Sequence, residues 1–417
     1  MNSNGTAGPV GCGYRWVILA LLTLAQLVMS MGAYAWGPLA PFLRAEFDVT
    51  RVQIGAIVSV LYLASVVIAI PSGLAVDRWG SRRILVFALV SMGASFVALS
   101  ATKIFPVFLV IASMTGIGYG MINQISTKGL MLWFTSGGRA TAMGIKQTGV
   151  TLGGALGAVL LPAVSGMFGW RWAVVITGVL MLAVAVSVVL GYRDSPPEAL
   201  PASGAPGPDR SGPGWRSLLT GPGSKKDLVI LAIIGMLLAF SQTSISSFLV
   251  LFLEEELGFS IGAAGACLTV FMLAGAVGRV VWGGVSDRFF GGNRKIPMII
   301  LCFSAAVCGL GLAYLSRESA VWFVYCLSAV VGFTYMGWNA LFITMGAEIA
   351  GPLLAGSVTG FTLTVAWAGI IIGPPLFGAI ADNYGYFWGW ILLSLSALAG
   401  AVSFFLFSKA PTRGEGS

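Results

Sequence analysis

The chain has no histidine in 417 residues, which removes His-ligated metal sites, Ser-His and Cys-His nucleophiles and imidazole proton relays together. Charge is almost as scarce: Asp, Glu, Lys and Arg make up 9% of the residues, against roughly a quarter in a soluble domain. Five cysteines (Cys12, Cys267, Cys302, Cys308, Cys326) form no CxxC pair and four of them lie in apolar runs, so they read as small packing residues without a disulfide framework. Phosphate-binding Gly loops, metal-ligand clusters and paired carboxylates are missing as well. ATP drive and enzymatic chemistry therefore have no support, and no cofactor or metal is expected.

What is abundant is apolar side chain, 57% of the sequence with a mean hydropathy of +0.92. A spanning helix takes about 20 residues, so the length holds roughly a dozen spans and no separate soluble catalytic domain. The first apolar run, from Trp16 to about Leu43, is too long for a signal-peptide core, so it reads as a first span. Further spans fall near 52–76, 84–101, 104–133, 140–168, 171–192, 227–253, 261–285, 296–315, 319–349, 352–380 and 386–408. The sequence thus predicts an all-α membrane protein of twelve spans. The Pro/Gly/Ser-rich stretch from Arg193 to Lys226 cannot bury a core and reads as a flexible linker. It divides the chain into a six-helix half at 1–192 and a second at 227–417.

A net charge of +8 would suggest a nucleic-acid partner in a soluble protein, but here it reports orientation, so no nucleic acid is expected. Sixteen of the 23 Lys and Arg fall on the side that carries both termini. Five (Arg44, Arg51, Lys103, Arg171, Arg317) fall on the other side, and Lys146 and Arg279 lie inside spans. The even span count and this asymmetry place both termini and the linker in the cytoplasm, in a multi-pass protein of the cytoplasmic (inner) membrane. The functional unit is expected to be a monomer.

The halves repeat. Gly73, Asp77, Arg78, Gly80, Arg82 and Arg83 follow the second span, and Gly283, Asp287 and Arg288 with Arg294 and Lys295 follow the eighth. A tight Gly turn, an Asp able to face a helix N-terminus and basic residues at the membrane surface would make a latch between helices. The first copy, G-x-x-x-D-R-x-G-x-R-R, resembles the signature loop of the major facilitator superfamily. That resemblance covers nearly the whole chain and implies that spans 3, 6, 9 and 12 face lipid while the others line a central cavity.

The residues offer their own check. The four expected lipid-facing spans have no Asn, Gln, Asp, Glu, Lys or Arg in their interiors, whereas Gln26, Asn123, Gln124, Lys146, Gln147, Gln242, Arg279 and Asn339 lie in the rest. Polar groups in hydrocarbon are costly without partners, so this segregation marks a wet or substrate-filled interior. Arg279 stands eight residues before Asp287, about 12 Å into the membrane. Inserting such a charge costs on the order of 3 kcal/mol. All fifteen carboxylates lie at or near span ends or in loops, so none readily neutralises it. Snorkelling or bonds to carbonyls would also accommodate the charge; the reading preferred is an anion site in which the planar guanidinium grips a carboxylate.

The run from Gly278 to Arg288 resembles span eight of the oxalate/formate antiporter and monocarboxylate transporter branch. There the Arg eight residues before the loop Asp binds the substrate carboxylate. Two departures bear on coupling: 352–380 holds no Lys or Arg, and the Asp that animal monocarboxylate transporters place one turn before the Arg is Gly275 here. Dicarboxylate exchange and the usual protonation site are both weakened.

Lys146, about 10 Å inside its span, is a second candidate cation, with snorkelling as its alternative. In the superfamily fold spans 5 and 8 face each other, so Lys146 and Arg279 would hold one anion between the halves. Lys146 would be neutral in the empty cavity and take up a proton with the anion. Tyr119 with Asn123 and Tyr335 with Asn339 are each spaced i,i+4 on one helix face. They would shape specificity, although such residues also serve as helix-packing glue. Trp338 and Trp367 would close the cavity, and Gly149, Gly153, Gly154 and Gly157 would let helices approach closely and rock. The expected function is proton-coupled transport of a small monocarboxylate such as lactate, pyruvate or acetate by alternating access. Organic anion exchange, drug export or a non-transporting membrane sensor are the alternatives.

Orientation gives a first test. Protease added outside intact cells should leave the 193–226 segment uncut, while inverted vesicles should expose it. Cleavage in intact cells contradicts the assignment.

Overall fold

The computed structural model describes residues 11–134, 136–194, 224–291 and 293–407. The central part of the expected linker, 195–223, and the side chains of Cys12 and Arg139 lie outside the described residues. The remainder is helical, with twelve helices long and apolar enough to cross a membrane. They are numbered here as spans: 1 (Gly13–Phe47), 2 (Arg51–Ala69), 3 (Ser81–Leu99), 4 (Phe105–Trp133), 5 (Thr141–Phe168), 6 (Trp170–Gly191), 7 (Asp227–Glu255), 8 (Ile261–Phe289), 9 (Lys295–Ala313), 10 (Val321–Gly346), 11 (Phe361–Tyr384) and 12 (Tyr386–Leu406). Cys267, Cys302, Cys308 and Cys326 are free thiols.

Local chemistry explains several boundaries. Thr50 accepts from the Gln53 amide while the Gln53 side chain accepts from the Thr50 amide, a reciprocal cap that starts span 2. Span 1 is broken: one helix ends at Ala33 and the next begins at Trp36. Span 10 is broken likewise between Tyr335 and Trp338.

The signature loop departs from expectation. The helix of span 2 runs on to Trp79 and carries Gly73 inside it, so the turn is made by Gly80 alone, with φ +83°. Asp77 pairs with Lys128 of span 4 at 3.1 Å and does not face a helix N-terminus. The carboxylate at the start of span 3 belongs to Asp194, which accepts from the Arg82 amide at 2.7 Å; the Arg82 side chain donates to the Val189 carbonyl. Arg83 is exposed, and Arg78 lies over the Trp79 ring. In the second copy Gly283 is again helical, the turn falls at Gly291, and Asp287 pairs with Arg294, while Arg288 is exposed. Arg294 also pairs with Glu348.

Spans 1, 2 and 5 make the substantial helix contacts across to spans 7, 8 and 11. Spans 3 and 6 pack on each other, as do 9 and 12, and spans 3, 6, 9 and 12 carry exposed Val, Leu and Phe side chains suited to lipid. The halves are held together at one end of the bundle. Arg44 and Arg51 of the first half share Glu255 of the second. Arg51 also reaches Asp382 at 3.3 Å and lies over the Tyr386 ring at 4.7 Å, while the Tyr386 hydroxyl donates to Glu255 at 2.8 Å. Asp382 accepts from the amides of Arg51 and Val52 as well, so the second half supplies an acid to the positive start of a first-half helix. Below this network a Cβ on Gly55 would lie 2.5 Å from the Pro374 carbonyl oxygen, so the approach needs glycine. At the opposite end the ion pairs among the described residues, Asp77 with Lys128 and Arg294 with Asp287 and Glu348, each stay within one half.

Glu255 neutralises Arg44 and shares Arg51 with Asp382, so Glu255→Gln leaves Arg44 without its acid and Arg51 held by Asp382 alone. Labelling of a cysteine introduced at Ser246, in a background lacking the exposed Cys326, by a water-soluble maleimide applied at the Arg51 end should then speed up severalfold. An unchanged rate would show that other contacts keep this end shut.

Candidate functional site

Arg279 projects from span 8 at a place where the facing helix, span 10, is interrupted. The break leaves the Met336 carbonyl free, and it accepts from Arg279 Nε at 3.3 Å and from Asn339 Nδ2 at 3.2 Å. A guanidinium has five N–H donors, so this bond uses a small part of its capacity. Among the described residues Arg279 forms no ion pair. Its charge faces the phenols of Tyr34 and Tyr119, which come from spans 1 and 4 of the other half.

Lys146 on span 5 is fully buried. Its Nζ donates to Asn123 Oδ1 at 3.1 Å and to Gln147 Oε1 at 3.5 Å, so it does not snorkel to the surface. It meets neutral amides, with no carboxylate bonded to it among the described residues. The close packing of spans 1 and 5 accounts for the burial: a Cβ on Gly153 would lie 2.1 Å from the Leu27 carbonyl oxygen. Gly149 packs against Thr23 and Gln26 in the same way, and Gly154 faces Tyr34 and Met272 of span 8.

Span 4 joins the two cations. Tyr119 faces Arg279 and Asn123 binds Lys146, and these two residues are one turn, about 6 Å, apart along the helix. The i,i+4 pair of the first half therefore faces the centre as expected, with each member serving a different cation.

The second-half pair does not behave this way. Because the helix breaks after Tyr335, the i,i+4 relation to Asn339 places the two on no common face. Tyr335 is fully buried with its hydroxyl unpartnered, against Gly309 of span 9, on the side away from the first half. It packs helices together. Asn339 does lie centrally: with Trp338 it donates to Gln242 Oε1 of span 7, at 3.2 and 3.0 Å. Trp367 is half-buried on span 11. Gln26 donates to Ser30 at 2.9 Å, and Gln124 has a buried, unpartnered Oε1.

Two central phenols carry no signal in the sequence. Tyr34 sits in the break of span 1, and Tyr62 of span 2 lies between Tyr34 and Tyr119 within hydrogen-bond reach of both, its ring edge-on to Tyr119 at 6.0 Å. An aromatic among aliphatic neighbours looks like core. The interruption of span 1 within MGAYAWGP, rich in Gly, is the feature that could draw attention to Tyr34.

Two six-helix bundles that enclose a cationic and polar centre, closed at one end, define a membrane transporter and not an enzyme. The chain belongs to the Major Facilitator Superfamily, whose family model matches residues 22–372. It is 26% identical to the hexuronate transporter of Bacillus subtilis (strain 168) over 389 residues, covering 90% of both chains. It is 23% identical to the membrane sensor protein UhpC of Escherichia coli (strain K12), covering 96% of this chain and 94% of that one. Its fold is similar to a bacterial homolog of the human lysosomal transporter Spinster in an inward-facing and occupied conformation, with a TM-score of 0.80 at 18% identity over 94% of this chain and 96% of that one. The oxalate/formate and monocarboxylate branch does not stand among these relatives.

The Lys146 to Asn123 bond yields a stability test. Asn123→Leu leaves a buried ammonium short of its nearest acceptor and should cost about 1.5–3 kcal/mol, read as a lower unfolding temperature in detergent. Adding Lys146→Met should recover most of the loss. A single variant as stable as the parent would mean the bond contributes nothing.

Proposed function

We propose that this protein is a secondary transporter of a small organic anion that carries one carboxylate, with Arg279 as the group that binds it. The observation that carries this reading is a guanidinium between the halves, faced by phenols, with no acid to neutralise it among the described residues. An isolated charge in a membrane interior is costly enough that a partner is expected, and a transported anion supplies one. The hexuronate transporter among its relatives, named for a carboxylate-bearing sugar acid, is compatible with this. Lactate-, pyruvate- and acetate-like anions are the substrates this reading proposes.

Lys146 is the coupling group in this account. It is buried among amides, so whether it is protonated depends on what charge arrives nearby, and proton and anion would load together. Transport then proceeds as symport by rocking of two halves at 1–192 and 227–417 joined by the 193–226 linker, in a monomer with both termini in the cytoplasm. The end closed by Arg44, Arg51, Glu255 and Asp382 faces outward, and the pairs of Asp77 and Asp287 with their neighbouring arginines and glycines (Gly73, Arg78, Gly80, Arg82, Arg83, Gly283, Arg288) act as gating elements inside. A second reading, a membrane sensor that binds without moving its ligand, is favoured by the likeness to UhpC.

One set of proteoliposome measurements separates these. The parent should show counterflow of labelled lactate and accumulate it under an inward proton gradient. Arg279→Lys, which cannot reproduce the planar fork, should lose most anion binding while still folding. Lys146→Arg should retain exchange and lose the gradient's effect. Binding without counterflow supports the sensor; parent-like affinity in Arg279→Lys removes that residue from the site.

A further inference from the structure

Beyond the phenols that face Arg279 lies a small chamber between the halves, with room for about one water-sized group. Its wall combines Tyr34 at the break of span 1, Tyr62 and Val58 of span 2, and Thr243, Ser246 and Ser247 of span 7. Five of the nine residues around it carry a hydroxyl. That is an unusual surface for the interior of a membrane protein, where an unfilled polar wall is expensive.

The hydroxyls are not equivalent. Ser246 and Ser247 donate their protons to the Thr243 carbonyl at 3.0 and 2.8 Å, so what they can present to the chamber is lone pairs. A carboxylate brings only further acceptors and does nothing for such groups. Tyr34 and Tyr62 can donate or accept, and Tyr34 stands at both places, in the chamber wall and facing Arg279. A ligand whose carboxylate lies on Arg279 and whose chain points toward span 7 therefore meets, past the charge, a wall that asks for a hydrogen-bond donor. We propose that this chamber is a hydroxyl-recognising subsite, so that the protein selects hydroxycarboxylates over their deoxy analogues. The inference rests on the reading of Arg279 as the carboxylate site and adds to it the chemistry of the neighbouring carbon.

The specificity follows from the cost of an unmet polar wall. A site built to hydrogen-bond a substrate hydroxyl rejects the analogue that lacks it far more strongly than a site that merely has space for it. With the analogue bound, the serine lone pairs lose the donor they face, and Tyr62 keeps only its phenol neighbours, unless a trapped water stays that the ligand cannot replace. A ligand that only adds bulk, such as a methyl group in place of the hydroxyl, fills the same space and satisfies none of them.

The test compares propanoate, 2-hydroxypropanoate and 2,3-dihydroxypropanoate by calorimetric titration of the purified full-length protein, with Tyr62→Phe and Ser247→Ala as variants. The parent should bind the two hydroxy acids at least about tenfold more tightly than propanoate. In Tyr62→Phe combined with Ser247→Ala that ratio should fall toward one, and a thermal melt matching the parent's would confirm that the double variant is folded. Equal affinity for propanoate and the hydroxy acids in the parent overturns the subsite and leaves the carboxylate reading standing, as does a ratio that survives both substitutions. Failure of all three anions to bind overturns the carboxylate reading and the subsite with it.

Discussion

A cation in the middle of a bilayer that no acid among the described residues neutralises is the constraint around which this molecule is arranged. On the scale for inserting a single arginine, the position of Arg279 costs on the order of 3 kcal/mol before any partner is found. One carbonyl bond, to Met336 at 3.3 Å, does not meet that demand. The interrupted helix of span 10, the three phenols of the first half and the amide-bound Lys146 all make sense as surroundings for a charge that must be tolerated when the site is empty and neutralised when it is filled. Had a carboxylate stood beside Arg279, the pair would be a structural element and the centre would have no reason to attract an anion.

The same economy governs the two ends. Where the halves meet tightly, acids and bases cross from one half to the other: Glu255 is shared by Arg44 and Arg51, and Asp382 serves both the Arg51 side chain and the start of its helix. At the opposite end the pairs of Asp77 and of Arg294 stay within one half. Cross-half pairs that are partly open to water can break and re-form at modest cost, whereas the glycine approaches beneath them, as at Gly55, demand a close fit. Closure at this end therefore combines a reversible electrostatic latch with tight helix packing, and the chamber beside Tyr34 and Tyr62 lies just beneath it.

Much of the architecture is legible from hydropathy alone, because a run of about 20 apolar residues between charged turns has the length and composition that a bilayer demands of a spanning helix. Arg279 and Lys146 are legible for the converse reason, since a charge within such a run stands out. Tyr335 is different: the i,i+4 argument assumes an unbroken helix, and the interruption between Tyr335 and Trp338 turns it away from the centre to pack beside Gly309. Asp77 has the spacing of a residue that faces a helix end, yet Lys128, which is remote in sequence, takes it and Asp194 fills the place at span 3. Tyr34 and Tyr62 escape because aromatics among aliphatics look like packing. Arg44 and Arg51 stand in the sequence only as exceptions to an orientation rule, and Glu255, the acid they share, lies 211 and 204 residues away. Single-chain patterns report periodicity and composition; they do not report which distant groups a fold brings together.

The central claim is that an anion lies between the halves with its carboxylate on Arg279. The most direct measurement is an experimental structure of the purified protein with a bound hydroxycarboxylate bearing a heavy-atom label, such as a bromo-substituted hydroxypropanoate. The account predicts the carboxylate within hydrogen-bond distance of the Arg279 guanidinium, with Tyr34 and Tyr119 beside it. An anion located elsewhere, with Arg279 still facing only the phenols and the Met336 carbonyl, would contradict it.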